Sequence, residues 1–156
     1  MNDSNISHIN NIVNTYGDML YRVAYQYTRN RSEAEDITQD VFVAMLKKLP
    51  FKSEEHLKAW LIRVAINKSI NYLKSSRKKV LSLDENIDVE AKHSETDEIE
   101  ELQELPEFDR SVIYLYYYEG YSIKEIAKIT GKSANSINIR LFRAREKLKT
   151  LLEERR

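Results

Sequence analysis

Apolar residues recur at steps of three and four along most of the chain, which is the period of an amphipathic α-helix. Three such segments occupy residues 6–29, 32–48 and 53–75. Residues that interrupt helices are scarce, since the 156-residue chain has three glycines and two prolines. The pattern therefore predicts three helices whose apolar faces pack together in the N-terminal half.

Capping signals indicate where the second and third helices begin. Ser32 followed by Glu35 is an S-x-x-E capping box. Ser53, directly followed by Glu54 and Glu55, is a start signal for the third helix. We expect the second helix to stop before Pro50. The apolar side chains expected to be buried on the third helix are Leu57, Trp60, Leu61, Val64, Ala65 and Leu73. Because the neighbours of Trp60 are apolar, we predict that this side chain belongs to the core and does not stack on bases.

The C-terminal half predicts a helix-turn-helix. A helical run starts at residue 98, and Pro106 begins a helix that reaches about Tyr118, with Tyr116 and Tyr117 inward and Gly120 as a left-handed cap. After this, a capping box opens a short helix at 123–129, and Thr130-Gly131-Lys132 forms a tight turn. Ser133 then caps a long helix with an apolar seam, and this order of elements is typical of DNA-binding helix-turn-helix domains. The members of that seam are Ile137, Leu141, Ala144 and Leu148.

The charge distribution separates the two halves. Residues 1–80 carry 13 Lys/Arg against 8 Asp/Glu, residues 81–106 carry 1 against 10, and residues 107–156 carry 11 against 7. Residues 81–97 also lack helical periodicity, which favours a flexible acidic linker. We thus predict an all-α protein of two small helical domains, residues 1–80 and 98–156, joined by the linker 81–97.

Three helix faces combine polar side chains in a way that suits macromolecular recognition. The second helix presents Asp36, Gln39, Asp40 and Val43. The third presents a stripe that leads into a basic cluster: Arg63, Asn67, Asn71, Lys74, Arg77, Lys78 and Lys79. The last helix presents donors beside its apolar seam: Asn135, Ser136, Asn138, Arg140, Arg143 and Lys147. Guanidinium and amide groups in rows suit phosphates and base edges, while the plain alternative for each face is a solvated helix surface.

Ordered motifs along nearly the whole chain resemble the extracytoplasmic-function sigma factors, the smallest class of the bacterial sigma-70 family. Residues 34–42, AEDITQDVF, are similar to the family's A-E-D-[LI]-x-Q-[ED]-x-F segment. Residues 57–67, LKAWLIRVAIN, are similar to its x-x-x-W-L-x-R-[IV]-A-x-N segment. Further matches lie in the second half, ending with RLFRAR at 140–145. The resemblance implies a promoter-specificity subunit of RNA polymerase that binds the core enzyme, recognises the −10 and −35 elements, and promotes melting and initiation.

The resemblance also implies roles for these faces. Core polymerase, through its β′ coiled coil, would be bound by Asp36, Gln39, Asp40, Phe42 and Val43. The −10 element would be bound by the stripe and basic cluster of the third helix, with Asn67 holding a flipped-out base. The −35 element would be read in the major groove by Asn135, Ser136, Asn138, Ile139, Arg140, Arg143 and Lys147.

This chain departs from the family pattern at three positions. Asn71 stands where the family often has Asp, Asn138 where it often has Lys or Arg, and Ile139 where it often has a small polar residue. We expect the first departure to alter the −10 contact of Asn71, and the other two to change the −35 preference, with Ile139 suited to a thymine methyl.

The implied partners are promoter DNA, the β′ coiled coil and β flap of core polymerase, and an anti-sigma factor. We expect a monomer when free, with no cofactor, no metal and no small-molecule substrate. The absence of cysteine, of an 18-residue apolar run and of a signal peptide favours a cytoplasmic protein.

Three other kinds of function differ from this one in what the protein would bind or do. A conventional dimeric helix-turn-helix regulator would bind duplex operators without polymerase. An antagonist or adaptor would bind polymerase without initiating. An enzyme is disfavoured because the histidines, His8, His56 and His93, are scattered and no Gly-rich phosphate loop occurs.

Overall fold

The computed structural model describes residues 3–82 and 100–154, and of these 77–82 and 100–101 by their backbone alone. Helices account for most of the described residues, which include no strand. The predicted all-α class is therefore confirmed.

The chain divides into two compact units, Met1–Asp88 and Val89–Arg156. The linker predicted at 81–97 lies outside the described residues from position 83 onward. Its first two residues, Leu81 and Ser82, are helical and end the third helix.

Within residues 3–82, unit 1 is a three-helix bundle of α1 (Asp3–Thr28), α2 (Arg31–Lys48) and α3 (Glu54–Ser82), in which each helix packs against the other two. The periodic apolar positions of the sequence form its core. Its fully buried side chains include Leu20, Val23, Ala34, Val41, Met45, Leu61, Ile62 and Ala65. Burial of these side chains stabilises the unit by the hydrophobic effect and holds the outer faces of α2 and α3 in place.

The junction between α1 and α2 differs from the prediction. Arg29 has a positive φ of 51°, which ends α1, and Asn30 caps α2 by accepting a hydrogen bond from the Glu33 backbone N–H at 3.0 Å. The predicted start at Ser32 is therefore wrong. Asparagine caps helices as well as serine does, and it comes two residues earlier, directly after the left-handed residue.

The third helix starts as predicted but runs further. Ser53 Oγ accepts from the His56 N–H at 3.2 Å, and α3 then continues to Ser82 instead of ending near Ser75, because no Gly or Pro interrupts it. Its core is also shifted, since Ile62 and Ile66 are buried while Trp60, with its ring centroid 5.3 Å from that of Phe51, is half-buried. Val64 and Leu73 are likewise half-buried.

Five helical segments make up the described part of unit 2, residues 100–154. They are a 3₁₀ helix (Glu100–Glu104), α4 (Glu107–Ile113), a π-helical turn (Tyr114–Tyr118), α5 (Ile123–Thr130) and α6 (Ala134–Glu154). The buried Arg110 ties α4 to the preceding segment, because its Nη1 donates to the carbonyls of Leu105 at 2.7 Å and Gln103 at 3.2 Å.

The π turn corrects the prediction for the tyrosine cluster. The Glu119 N–H donates to the Tyr114 carbonyl five residues earlier, so the chain gains an extra residue per turn here. Tyr114 and Leu115 therefore point inward, Tyr116 is half-buried, and Tyr117 is exposed over 54% of its surface.

The predicted helix-turn-helix is confirmed. Ser122 and Glu125 form a complete capping box at the start of α5, and Gly131 (φ 74°) closes that helix with a hydrogen bond to the Ala127 carbonyl. Ser133 Oγ accepts from the Ser136 N–H at 3.0 Å and caps α6. The predicted seam is buried at Ile137, Leu141 and Ala144, while its last member, Leu148, is half-buried. Packing of this seam holds the opposite side of α6 toward solvent.

Candidate functional site

The outer face of α2 combines acids with exposed apolar side chains. Asp36, Gln39 and Asp40 are exposed, and Val43 is 55% exposed one turn further on. Phe42, predicted with them, is half-buried. A solvated acidic face would not need a large apolar residue in its centre, so this arrangement suits a partner with both apolar and basic groups.

Leu46 extends the same face and was not identified from the sequence. It lies three residues after Val43, is 46% exposed, and borders a cleft of ≈ 510 Å³ formed with residues of α1 and of the α2–α3 loop. Its spacing from Gln39 and Val43 was the available signal. Asp36, Gln39, Asp40, Val43 and Leu46 are called the α2 face below.

The predicted stripe on α3 is present along one side of the helix. Arg63, Asn67, Asn71 and Lys74 are all exposed. The eleven-residue separation between the first and last corresponds to about 16 Å along the axis, since a helix rises about 1.5 Å per residue. That length matches about five nucleotides of one strand, which are spaced by about 3.4 Å. These four residues are called the α3 stripe.

The electrostatic surroundings of the α3 stripe favour a polyanion. No Asp or Glu occurs between Glu55 and Asp84, while this interval carries seven Lys or Arg residues. Partial burial and, secondarily, the charge of Glu33 raise the pKa of Tyr72. A tyrosine is already neutral at physiological pH, so the shift keeps this phenol uncharged next to the stripe. Arg77, Lys78 and Lys79 belong to the helical backbone of α3, and their side chains lie outside the described part of the structure.

The outer side of α6 presents a mixed polar and apolar surface. Asn135, Asn138 and Arg143 are exposed, and Ile139 is 40% exposed among them. Phe142, which was not assigned from the sequence, is 63% exposed on the same side. Its position three residues after Ile139, off the buried seam, was the available signal. These five residues are called the α6 face.

Three residues predicted to read the −35 element have other surroundings. Arg140 Nη1 donates to Asp109 Oδ1 at 3.0 Å, and its guanidinium lies 4.7 Å from the centre of the Phe108 ring. Lys147 Nζ donates to the Glu104 carbonyl at 3.1 Å. Ser136 is half-buried in the first turn of α6. Arg140 and Lys147 thus contact the rest of unit 2, whereas the outward members of the predicted set are Asn135, Asn138, Ile139 and Arg143.

The described residues contain no cluster of three or more His, Asp or Glu side chains able to hold a metal ion. Among these same residues, every helix is too short or too polar to cross a bilayer.

Comparison with known proteins gives matches in both units. The family model for Sigma-70 region 2 matches residues 12–79, and the model for Sigma-70, region 4 matches residues 99–148. RNA polymerase sigma factor SigV of Bacillus subtilis (strain 168) is 31% identical over 131 residues, which cover 80% of this chain and 79% of that protein. ECF RNA polymerase sigma factor SigM of the same organism is 29% identical over 153 residues, or 92% of this chain and 94% of that one.

Two solved structures are similar in fold. One is the sigma factor RpoE in complex with the anti-sigma factor NepR from Bartonella quintana, with a TM-score of 0.72 at 23% identity, covering 94% of this chain and 98% of that chain. The other is CnrH in complex with the cytosolic domain of CnrY, with a TM-score of 0.63 at 25% identity, covering 94% and 88% respectively.

Proposed function

The chain belongs to the extracytoplasmic-function group of the sigma-70 family of RNA polymerase sigma factors, and from this premise we propose how its exposed faces act in a promoter-specificity subunit. The protein directs core polymerase to promoters and promotes melting and initiation. Proteins of this family are non-catalytic initiation factors, so the polymerase supplies the chemistry of RNA synthesis.

The α2 face docks on core polymerase, through the β′ coiled coil. Val43 and Leu46 supply apolar area that is exposed in the free chain, and Asp36 and Asp40 lie at its edge. Desolvated apolar anchors give such an interface most of its affinity, and the acids orient a basic partner. The half-buried Phe42 adds its accessible part to this apolar area.

The α3 stripe binds the melted −10 element. Its length suits about five nucleotides, and its amides can bond the Watson–Crick edge of an unpaired base. Asn67 lies near the middle of the stripe, between Arg63 and Asn71, where a captured base would have a cationic and a polar neighbour. The basic residues 77–79 extend this contact along the phosphates.

The α6 face enters the major groove of the −35 element. Arg143 can contact guanine or phosphate, the two asparagines suit adenine, and Ile139 and Phe142 suit thymine methyl groups. Asn138 and Ile139, which depart from the family pattern, lie on this face and set the −35 sequence that this protein prefers.

Tethering of two modest contacts explains how a small chain selects promoters. Once one unit is bound, the second binds at a high effective concentration, so neither face needs high affinity by itself. The linker 81–97 joins the two units, and the β flap of polymerase holds the C-terminal one over the −35 element. When free, the chain is a cytoplasmic monomer, and an anti-sigma factor controls it by covering these surfaces.

One observation carries the proposal: the two units that match sigma-family models present three outward faces of suitable chemistry. The α2 face is acidic and apolar, the α3 stripe carries cations and amides, and the α6 face combines amides and apolar side chains with Arg143. Run-off transcription with purified bacterial core polymerase on a genomic promoter library tests it. Initiation from a defined subset of promoters, dependent on the added chain, is the expected result. Duplex binding that does not need polymerase would indicate a conventional regulator, and polymerase binding without initiation would indicate an antagonist.

A further inference from the structure

Arg140 lies on the helix proposed to read DNA, yet both of its described contacts are on α4. Its Nη1 bonds Asp109 Oδ1 at 3.0 Å, and its guanidinium lies 4.7 Å from the Phe108 ring centre. Side-chain exposure is 38% for Arg140 and 14% for Asp109, so this pair is partly shielded from solvent. Partial shielding strengthens a charge-assisted hydrogen bond relative to one in open water.

The Phe108 ring is shared by two parts of the helix-turn-helix. Lys132, in the turn before α6, has its Nζ 5.7 Å from the ring centre, and Arg140 lies closer. Cations attracted to the same ring connect α4 with both the turn and the second turn of α6. The entry of α6 is thereby tied to α4.

A second contact fixes α6 seven residues further on. Lys147 Nζ bonds the Glu104 carbonyl at 3.1 Å, and Arg140 and Lys147 lie on one side of the helix because seven residues complete about two turns. Arg110 in turn anchors α4 to the carbonyls of Gln103 and Leu105. The inner side of α6 is therefore held by a single segment, residues 103–110.

Bidentate reading of a guanine edge would compete with Asp109 and Phe108 for the Arg140 guanidinium and would draw it away from them. Asp109 would then be left without its guanidinium partner next to a phosphate backbone, where a carboxylate is repelled. With the pair intact, Arg140 neutralises that carboxylate, and the residues that face outward keep their orientation.

We propose that Arg140 is a positioning residue for −35 recognition: through Asp109 and Phe108 it locks α6 onto α4 and sets the angle at which Ile139, Phe142 and Arg143 enter the groove. This inference rests on the proposed −35 function of α6. It predicts that Asp109, which makes no base contact, matters for DNA binding as much as Arg140 does.

The test measures the affinity of the assembled holoenzyme for a promoter selected in the run-off experiment and for the same duplex with a scrambled −35 element. Asp109→Asn and Arg140→Ala are each expected to reduce the preference for the true element by about threefold to tenfold, the effect of one charge-assisted bond after allowance for its solvent exposure. Arg140→Lys, which retains the ion pair but loses the planar group over Phe108, is expected to lie in between. The charge exchange D109R/R140D is expected to recover most of the loss.

A base reader would give the opposite pattern. Asp109→Asn would then leave the preference unchanged or increase it, the exchange would stay defective, and Arg140→Ala would remove discrimination at one base pair of the element. Lowered affinity spread over all positions of the element supports positioning, and loss at one position overturns it.

Two controls keep these outcomes separate. Circular dichroism and thermal unfolding of each variant identify a folding defect, and Arg140→Lys remains informative if Asp109→Asn does not fold. Arg143→Ala tests the underlying function. Both proposals are overturned if the wild-type holoenzyme shows no preference for the true −35 element and Arg143→Ala leaves its affinity unchanged. A wild type with that preference and a neutral Asp109→Asn overturns only the role of Arg140.

Discussion

Replacement of Asn67 by alanine tests how the promoter is opened. Asn67 is exposed in the middle of α3, so the change removes no core contact. Alanine has the higher helix propensity, by up to about 0.7 kcal/mol, so we expect the unfolding free energy to stay equal or rise slightly. A loss of function in this variant would therefore reflect a lost contact with DNA.

The size of the expected loss in open-complex formation follows from the contacts that the α3 stripe retains. Arg63 and Asn71 lie one turn to either side of Asn67, about 6 Å along the axis, and they remain to hold the neighbouring nucleotides. The variant should then lose one amide–base contact, worth about 1–3 kcal/mol. This corresponds to a reduction of about 5-fold to 150-fold in open-complex formation, at tenfold for each 1.4 kcal/mol.

Permanganate reactivity of −10 thymines in the holoenzyme complex measures melting directly. Asn67→Ala should show reduced reactivity while it co-purifies with polymerase at the wild-type level, because the α2 face is untouched. Asn14→Ala, the same substitution at an exposed position of α1, is the matched control and should be neutral. A template with a pre-melted −10 bubble should rescue Asn67→Ala in part, since it removes an unpairing cost of a few kcal/mol.

Wild-type thymine reactivity with Asn67→Ala on a fully paired promoter would refute this reasoning. The same applies to equal losses for Asn67→Ala and Asn14→Ala, because the effect would then not depend on the α3 stripe.

Three further predictions concern other parts of the molecule. Asp40→Ala should weaken capture of core polymerase in a pull-down, whereas Asp18→Ala, an exposed acid on α1, should not; equal retention of both would remove Asp40 from the interface. Arg143→Ala should lower holoenzyme affinity for promoter DNA and, if it contacts phosphate, reduce the slope of log affinity against log salt by about one, with Arg22→Ala as the neutral control. Ile137→Ala, at a fully buried position of α6, should lower the unfolding free energy by about 2–5 kcal/mol, measured by denaturant titration; a smaller loss would mean that the site collapses around the smaller side chain.

The helical architecture was largely predictable because it depends on local signals. These signals act over a few residues: the apolar period, the caps at Ser53, Ser122 and Ser133, and the two glycines with positive φ. The caps and the glycines are found in the structure where they were expected. The predicted start of α2 was also wrong for a local reason, since Asn30 and Ser32 are both suitable caps and Asn30 is the one that caps the helix.

Longer-range packing decided what local signals could not. Helical spacing assigns residues to a side, but the π turn rotated the tyrosine cluster and left Tyr117 exposed. Spacing likewise places Leu46 and Phe142 on the outer sides of their helices, but their exposed fractions depend on how far the rest of the fold covers those sides.

The sequence alone determined the helical class, the helix-turn-helix, the family resemblance and the location of the outward faces on α2, α3 and α6, because periodicity and ordered motifs are properties of the chain itself. Tertiary structure decided which members of those faces are open to a partner. Arg140 shows the reason: its partner Asp109 is 31 residues away, and only the packing of α6 on α4 brings the carboxylate within hydrogen-bonding distance of the guanidinium.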